Sequence, residues 1–198
     1  QAPTKKHLRA LERVFGYIRG TINFGITFGG DVAKVTPSVI ENDDLYFFVD
    51  SSHRDANVER KGTTGWICMW RGGPIAWKSK KQSVTSCSSA ESETIAASEA
   101  GKQAMFLRLV MQEIGLVPRQ PTVLLEDNSA TIIYSSGEGQ SHNLRHIDVR
   151  RYAIREMSTN GIVKLVKVLG TENVADMLTK ALPQNPMEHL RSWIFRKE

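Results

Sequence analysis

Asp50, Glu93, Asp127 and Asp176 stand where a charge is costly to place. Asp50 ends the apolar run Leu45-Tyr-Phe-Phe-Val49, and Asp127 follows Val123-Leu-Leu125 and Glu126. Glu93 lies in the first turns of a long helical pattern, and Asp176 in a short one near the end of the chain. A carboxylate at a buried strand end is neutralised by a base, a backbone donor or a cation. If all four of these acids converge, their repulsion demands divalent ions between them. Mg²⁺ suits such a cluster, with Mn²⁺ an alternative, because it is held by few carboxylates and keeps waters and phosphate oxygens. Two ions roughly 3.5–4 Å apart activate a water and stabilise the leaving oxygen of a phosphodiester. A single Asp after a strand more often caps a turn or a helix. The weight therefore rests on the ordered set Asp–Glu–Asp–Asp.

The elements that must position these acids follow from periodicity. Leu8, Leu11, Phe15 and Ile18 share one face of a helix over about residues 4–19, stopped near Gly20. The stretch from Gly29 to Asn42, with Gly-Gly, Pro37 and Asn-Asp punctuation, reads as a linker. Residues 45–49, 63–70 and 75–79 form three antiparallel strands, with Gly72-Gly73-Pro74 as a turn. A long helix is expected over 90–115 with Ser88 or Ser89 as its N-cap. A strand over 123–125, a helix from Ser129, a helix over 147–157, a strand over 162–169 and a short helix over 174–180 follow. Pro183 and Pro186 interrupt before a last amphipathic piece carrying Leu190, Trp193 and Ile194. This order implies a mixed sheet with helices on both faces, an α/β fold.

At 198 residues the chain holds one domain, or one with an appendage. Its 40% hydrophobic and 24% charged content is that of an ordinary globular protein. No apolar run approaches the ~20 residues of a membrane span, and no membrane partner is expected. The start Gln-Ala-Pro-Thr-Lys-Lys resembles neither a signal peptide nor a natural start, and suggests a fragment of something longer. A net charge of +5 favours a polyanionic partner without proving one. Cys68 and Cys87 lack the spacing of a zinc site or a disulfide framework.

Six separated stretches stand in order: Arg60-Lys-Gly-Thr-Thr-Gly-Trp66, Gly72-Gly-Pro-Ile-Ala-Trp-Lys-Ser-Lys-Lys-Gln82 and Ser88-Ser-Ala-Glu-Ser-Glu93. Beyond them come Glu126-Asp-Asn128, Arg145-His-Ile-Asp-Val-Arg150 and Asn173-Val-Ala-Asp-Met-Leu-Thr-Lys180. On these stretches the chain resembles, from about Asp50 to Leu182, the ribonuclease H domain of Ty1/copia-type retrotransposons. Pro3-Thr-Lys-Lys-His-Leu through Tyr17-Ile-Arg-Gly-Thr21 resembles the segment joining that family's reverse transcriptase to its ribonuclease H. The resemblance implies a ribonuclease H-like sheet, with three antiparallel strands and then two parallel ones. It divides the chain into a connection-like part (1–42), the ribonuclease H domain (43–183) and a helical extension (184–198). It implies cleavage of the RNA strand of RNA–DNA hybrids during reverse transcription, beside the reverse transcriptase of the same polyprotein, in cytoplasmic virus-like particles. Asp50, Glu93, Asp127 and Asp176 become the ligands of two metal ions. The family's acidic, Trp-containing stretch after the first Asp is replaced by Ser51-Ser-His-Arg-Asp55. The His that precedes the last Asp in cellular ribonucleases H is missing from Leu169-Gly-Thr-Glu-Asn173.

Further candidates surround the acids. Lys78, Lys80 and Lys81 would place positive charge for phosphates, and Gln82 and Asn128 could meet 2′-hydroxyls or base edges. Ser88 is a helix cap at a start whose free N–H groups could take a phosphate. His146 is a candidate for the turnover role of the missing histidine, against a purely structural hydrogen bond. His7, His53, His142 and His189 are expected to be exposed, and Trp66, Trp70, Trp77 and Trp193 to be core. Glu91 has capping-box spacing from Ser88, and Glu93, two positions on, points about 200° away from it. An Asp-x-Glu exonuclease, an Asp–Asp–Glu integrase and a polymerase palm each need acids in another order or place. A catalytically silent, nucleic-acid-binding remnant of a mobile element stays open as the alternative.

Overall fold

The computed structural model describes residues 2–29, 37, 38, 40, 45–53, 61–137 and 145–197, and the side chains of all of these except residues 145–148, 151, 196 and 197. Most of the expected linker, and Arg54, Asp55, Arg60 and His142, lie outside the described residues. Helix α1 (Lys5–Gly20) and the short strand β1 (Phe24–Gly25) come first. The apolar run at Leu45 then becomes β2 (Tyr46–Ser52), the middle of a five-stranded sheet. β3 (Thr63–Trp70) pairs antiparallel with β2, and β4 (Gly73–Lys81) antiparallel with β3. After α2 (Ser89–Glu113), β5 (Thr122–Glu126) joins the other side of β2 in parallel. Helices α3 (Ser129–Ser135) and α4 (Arg145–Thr159) lead to β6 (Val163–Lys167), parallel to β5. The order β4-β3-β2-β5-β6 is the mixed sheet expected of a ribonuclease H-like fold. Short helices α5 (Asp176–Thr179) and α6 (Gln184–Arg191) and the strand β7 (Arg196–Lys197) finish the chain, with β7 paired antiparallel to β1.

Side chains alternate across a strand, so β2 feeds two cores. Phe47 and Val49 pack with Trp66, Leu124 and the alanines of α2, while Tyr46 and Phe48 pack with Ile67, Leu125, Val174 and Ala175. Asp50 continues the second series and so faces α5. The first half of α2 is buried nearly all round, through Ile95, Ala96, Ala97, Ala100 and Ala104. Small side chains let the helix lie close to both the sheet and α4. At Gly101 a Cβ would come within 2.8 Å of Met157 Cε, so α4 packs close there against the bare backbone and a larger residue would make the Met157 side chain shift.

Several details depart from the sequence reading. The hairpin turn is Arg71-Gly72, both with positive φ (49° and 76°), so Gly73 and Pro74 belong to β4 and not to the turn. Pro186 lies inside α6, where a first-turn residue needs no N–H partner and the ring is tolerated. Trp77 is 61% exposed and not core, because β4 is the sheet edge and nothing among the described residues covers it. No residue of α1 is buried, and its apolar stripe of Leu8, Leu11, Phe15 and Ile18 faces outward. His53 is half-buried, with Nδ1 3.1 Å from the Ser86 hydroxyl, and not free in solvent.

Gly65, opposite Asp50 on β3, sets how closely α5 approaches the sheet. A Cβ there would stand 2.5 Å from Thr179 Cγ2 and 3.2 Å from the Ala175 carbonyl oxygen. Gly65→Ala is therefore expected to push α5 outward and cost about 1–3 kcal/mol, as overpacking does. Chemical denaturation checks the loss. An unchanged midpoint would mean that α5 is not held against the sheet.

Candidate metal centre

Asp50 is fully buried at the end of β2, among groups supplied by α5. The Thr179 hydroxyl donates to Asp50 Oδ2. Lys180 Nζ lies 3.1 Å from Asp50 Oδ1 and 2.8 Å from Asp176 Oδ1, one helical turn away. Asn173 ties this segment down: its side-chain amide donates to the Val49 carbonyl at 2.8 Å, and its Oδ1 accepts from the Ala175 N–H at 3.2 Å. Asp176 thus starts α5 beside the end of β2. Asp127 follows β5, the parallel neighbour of β2, and Lys167 donates to its carbonyl. One carboxylate oxygen each from Asp50, Asp127 and Asp176 lies within 4.8 Å of the others. The sheet thereby gathers three of the four expected acids.

Glu93 reaches the same place from the other face. Ser88 caps α2 by accepting the Glu91 N–H at 3.2 Å, and the Glu91 carboxylate turns back to the Cys87 N–H at 2.6 Å. Glu93 points instead into a second group, with Glu126 and Asp127, whose oxygens also lie within 4.8 Å of one another. The two groups share Asp127, so all four expected acids meet around it. Sequence reasoning gave Glu126 no role, although it is fully buried at the end of β5. The signal was available: a residue next to Asp127 on a strand must face the opposite side, which is the side of α2. Asn173, Thr179 and Lys180 were inside a recognised motif, but only their fold reveals their contacts.

The substrate candidates separate. Gln82 is buried, donating to Thr64 Oγ1 at 3.1 Å and the Ser92 carbonyl at 3.0 Å while accepting from Ser92 Oγ at 3.1 Å. Its amide is spent on joining β3 to α2, so the expectation of a substrate contact there is corrected. Lys78 pairs with Glu99 of α2 at 2.6 Å. Lys80 and Lys81 are exposed at the end of the sheet that carries the acids, since Asp50 pairs with Gly65 and Gly65 with Ser79. Being adjacent on a strand, they project to opposite faces and do not form one patch. Asn128 caps α3, accepting the Ala130 and Thr131 N–H groups through Oδ1. Ser88 is exposed. His146 begins the second residue of α4, and its side chain lies outside the described ones.

The electrostatics fit hard divalent cations. Burial, then the charges of Glu126, Asp50 and Asp127, push the Glu93 carboxyl up to about 10. Burial pushes Glu126 up to about 8 against its bond from the Asn128 N–H. Burial and the Asp50 charge also raise Asp127, and Asp176 is pushed up to about 6 by burial against its bond to Lys180. Burial disfavours the Lys180 ammonium, but Asp176 and Asp50 outweigh it and hold it above the ordinary lysine value. All the donors are carboxylate oxygens, as Mg²⁺ prefers, and an ammonium already bridges two of them.

A pH dependence follows. Glu93, Glu126 and Asp176 bind protons more tightly folded than unfolded, so their stabilising contribution is complete below their ordinary values of 4.5, 4.5 and 3.8. It is lost as pH rises through about 6, about 8 and about 10. In chelator, the thermal midpoint is expected to fall between about pH 5 and about pH 8, and the slope should flatten in Glu93→Gln. A midpoint that is level or rising over that window, in both proteins, would contradict the raised carboxyls.

Comparison with known proteins agrees with this geometry. No family model matches the chain. It is 35% identical over 186 residues to the retrovirus-related Pol polyprotein from transposon TNT 1-94 of Nicotiana tabacum, a match covering 94% of this chain and 13% of that protein. It is 26% identical over 193 residues to the Pol polyprotein from transposon RE1 of Arabidopsis thaliana, covering 97% of this chain and 12% of that protein. The chain thus spans about an eighth of the length of these relatives. Among solved structures, the N-terminal RNase H domain of Rv2228c from Mycobacterium tuberculosis superposes with a TM-score of 0.53 at 11% identity, over 76% of this chain and 97% of that one. LC11-RNase H1 in complex with an RNA/DNA hybrid gives 0.52 at 11% identity, over 69% and 94%. Likeness at that identity speaks for the fold, and the polyprotein matches speak for the lineage: over most of its length the chain's homologues are Pol polyproteins of Ty1/copia-type retrotransposons, and its fold is ribonuclease H-like.

Proposed function

We propose that this chain is a metal-dependent ribonuclease H that hydrolyses the RNA strand of RNA–DNA hybrids during reverse transcription. The observation that carries the reading is the meeting of Asp50, Glu93 and Asp176 around Asp127 at one end of a ribonuclease H-like sheet. Asp50, Asp127 and Asp176 would hold one divalent ion, Mg²⁺ or Mn²⁺, with Glu93 completing the set for a second. Such ions supply an activated water and stabilise the leaving oxygen of a phosphodiester. The protein's own part is positional. Asn173 and Thr179 hold α5 and Asp50 in register, and the Glu91 and Ser88 caps fix the rotation of α2 that aims Glu93. Lys80 and Lys81 stand at the right end of the sheet to meet phosphates, and Asn128 and Ser88 flank the acids. The hybrid bound to LC11-RNase H1 supports the substrate class, and the Pol polyprotein relatives support a reverse transcriptase partner; the reading would place the chain in virus-like particles in the cytoplasm. Among the described residues no helix is long and apolar enough to cross a membrane.

A cleavage assay on end-labelled hybrid, RNA duplex and DNA duplex tests the reading, with Mg²⁺ and with chelator. Cleavage of the hybrid's RNA strand alone, abolished by chelator, is the expected result. Asp127→Asn and Glu93→Gln should each lower the rate at least about a hundredfold, since loss of even an outer partner of a metal ligand costs about 10–100-fold. Glu91→Gln should keep most activity and lose at most about 1 kcal/mol of stability, as weakening a cap does. An inactive Glu91→Gln beside an active Glu93→Gln would put the wrong glutamate at the centre. Hybrid binding without cleavage by the folded wild type in Mg²⁺ or Mn²⁺ would leave the silent remnant as the better reading.

A further inference from the structure

The two halves of the acidic cluster are neutralised differently. Lys180 and Thr179 serve Asp50 and Asp176 on the α5 side. On the α2 side, no described residue forms an ion pair with Glu93 or Glu126. Glu126 is fully buried; its Oε1 accepts from the Asn128 N–H at 3.0 Å, and its Oε2 has no partner among the described residues. Glu93 is 6% exposed and its Oε2 makes no hydrogen bond among the described residues, the Ser51 hydroxyl, also unbonded, being the neighbouring donor that favours its charged form. A buried carboxylate oxygen without donor or counter-charge carries a large free-energy cost. Two agents remove it: a proton shared between the glutamates, or a cation. The Asp127 carboxylate, within 4.8 Å of both, weighs toward the cation. One shared proton among three carboxylates still leaves a net charge of about −2, which a divalent ion balances.

We propose that Glu126 is a fifth metal-binding carboxylate, which with Glu93 and Asp127 forms a hard divalent-cation site on the α2 face of the sheet. This rests on the metal-dependent reading above and adds a ligand absent from the Asp–Glu–Asp–Asp set. The site shares Asp127 with the Asp50–Asp176 side, so a cation there and one on the α5 side lie on opposite faces of the same strand end. Its ligand class is Mg²⁺ or Mn²⁺, because every donor is a carboxylate oxygen.

Glutamine is nearly the shape of a protonated glutamate, which makes Glu126→Gln decisive. Bound Mn²⁺ would be counted by electron paramagnetic resonance on the full chain, alone and with a nuclease-resistant hybrid of DNA and 2′-O-methyl RNA. Glu99→Gln, on the same helix as Glu93 but outside the acidic cluster, serves as the control for loss of a nearby negative charge. The wild type and Glu99→Gln should hold about two ions and Glu126→Gln about one, or bind the weaker ion at least about tenfold less tightly. Glu126→Asp, which keeps the charge on a shorter arm, should fall between, and decides the matter if circular dichroism shows Glu126→Gln unfolded. A folded Glu126→Gln equal to the wild type in count and affinity overturns the proposal in favour of a shared proton. With Glu126→Gln unfolded, wild-type affinity in Glu126→Asp overturns it as well. A wild type that binds no Mn²⁺ at all removes the metal-dependent reading itself, an outcome distinct from the other two.

Discussion

The end of β2 has to bury Asp50 completely, and much of the surrounding architecture answers that demand. A charge with no access to water must be met by donors or counter-charge at hydrogen-bonding distance. Here the Thr179 hydroxyl and the Lys180 ammonium do so from α5, a helix of four residues too short to be stable by itself. The helix is held by Asn173, whose amide takes the Val49 carbonyl, and by the glycine at position 65 that lets it lie close to β3. Removing any one of these contacts frees the others, because they all act on the same few residues.

The parallel pairing of β2 with β5 gives the second constraint. Parallel strands bring their carboxyl ends to the same edge, the usual place for ligands in open α/β sheets. Asp50 and Asp127 are therefore neighbours by topology, before any side-chain detail. Strand alternation then turns Glu126, the last residue of β5, toward α2, while Asp127, just past the strand end, stands between the Asp50–Asp176 and Glu93–Glu126 groups. The small residues of α2 let the helix sit close enough for Glu93 to reach the strand end, where a bulkier face would hold it away.

The legible part of this design is the part written in periodicity. The alternating and apolar runs marked the five strands and the antiparallel pairing of the first three, the family resemblance supplied the parallel pair, and the capping pattern from Ser88 placed Glu91 and Glu93 on different jobs. What escaped was of two kinds. Gln82 was read as a substrate contact because amides suit base edges, but nothing local revealed that Ser92 and Thr64, 10 and 18 residues away, would consume it. Lys180 and Thr179 act on Asp50 across 130 and 129 positions, and such pairings belong to the fold and not to any window of sequence. Trp77 misled for a related reason. An aromatic in a strand is core only if something covers that strand, and β4 turned out to be an edge.

The division of charge between the two faces also bears on how the centre can form. Structural zinc domains leave their ligands without mutual support and fold only with metal. Here the α5 side carries its own cation in Lys180, and the α2 side has carboxyls raised enough to keep protons near neutrality. Part of the charge on each half is thus offset as the chain folds. The hydrophobic series of Phe47, Val49, Leu124 and the α2 alanines on one face, and of Phe48, Leu125, Val174 and Ala175 on the other, can then set the geometry. The carboxylates are preorganised by the core, so a divalent cation has only to displace protons and an ammonium rather than order the chain.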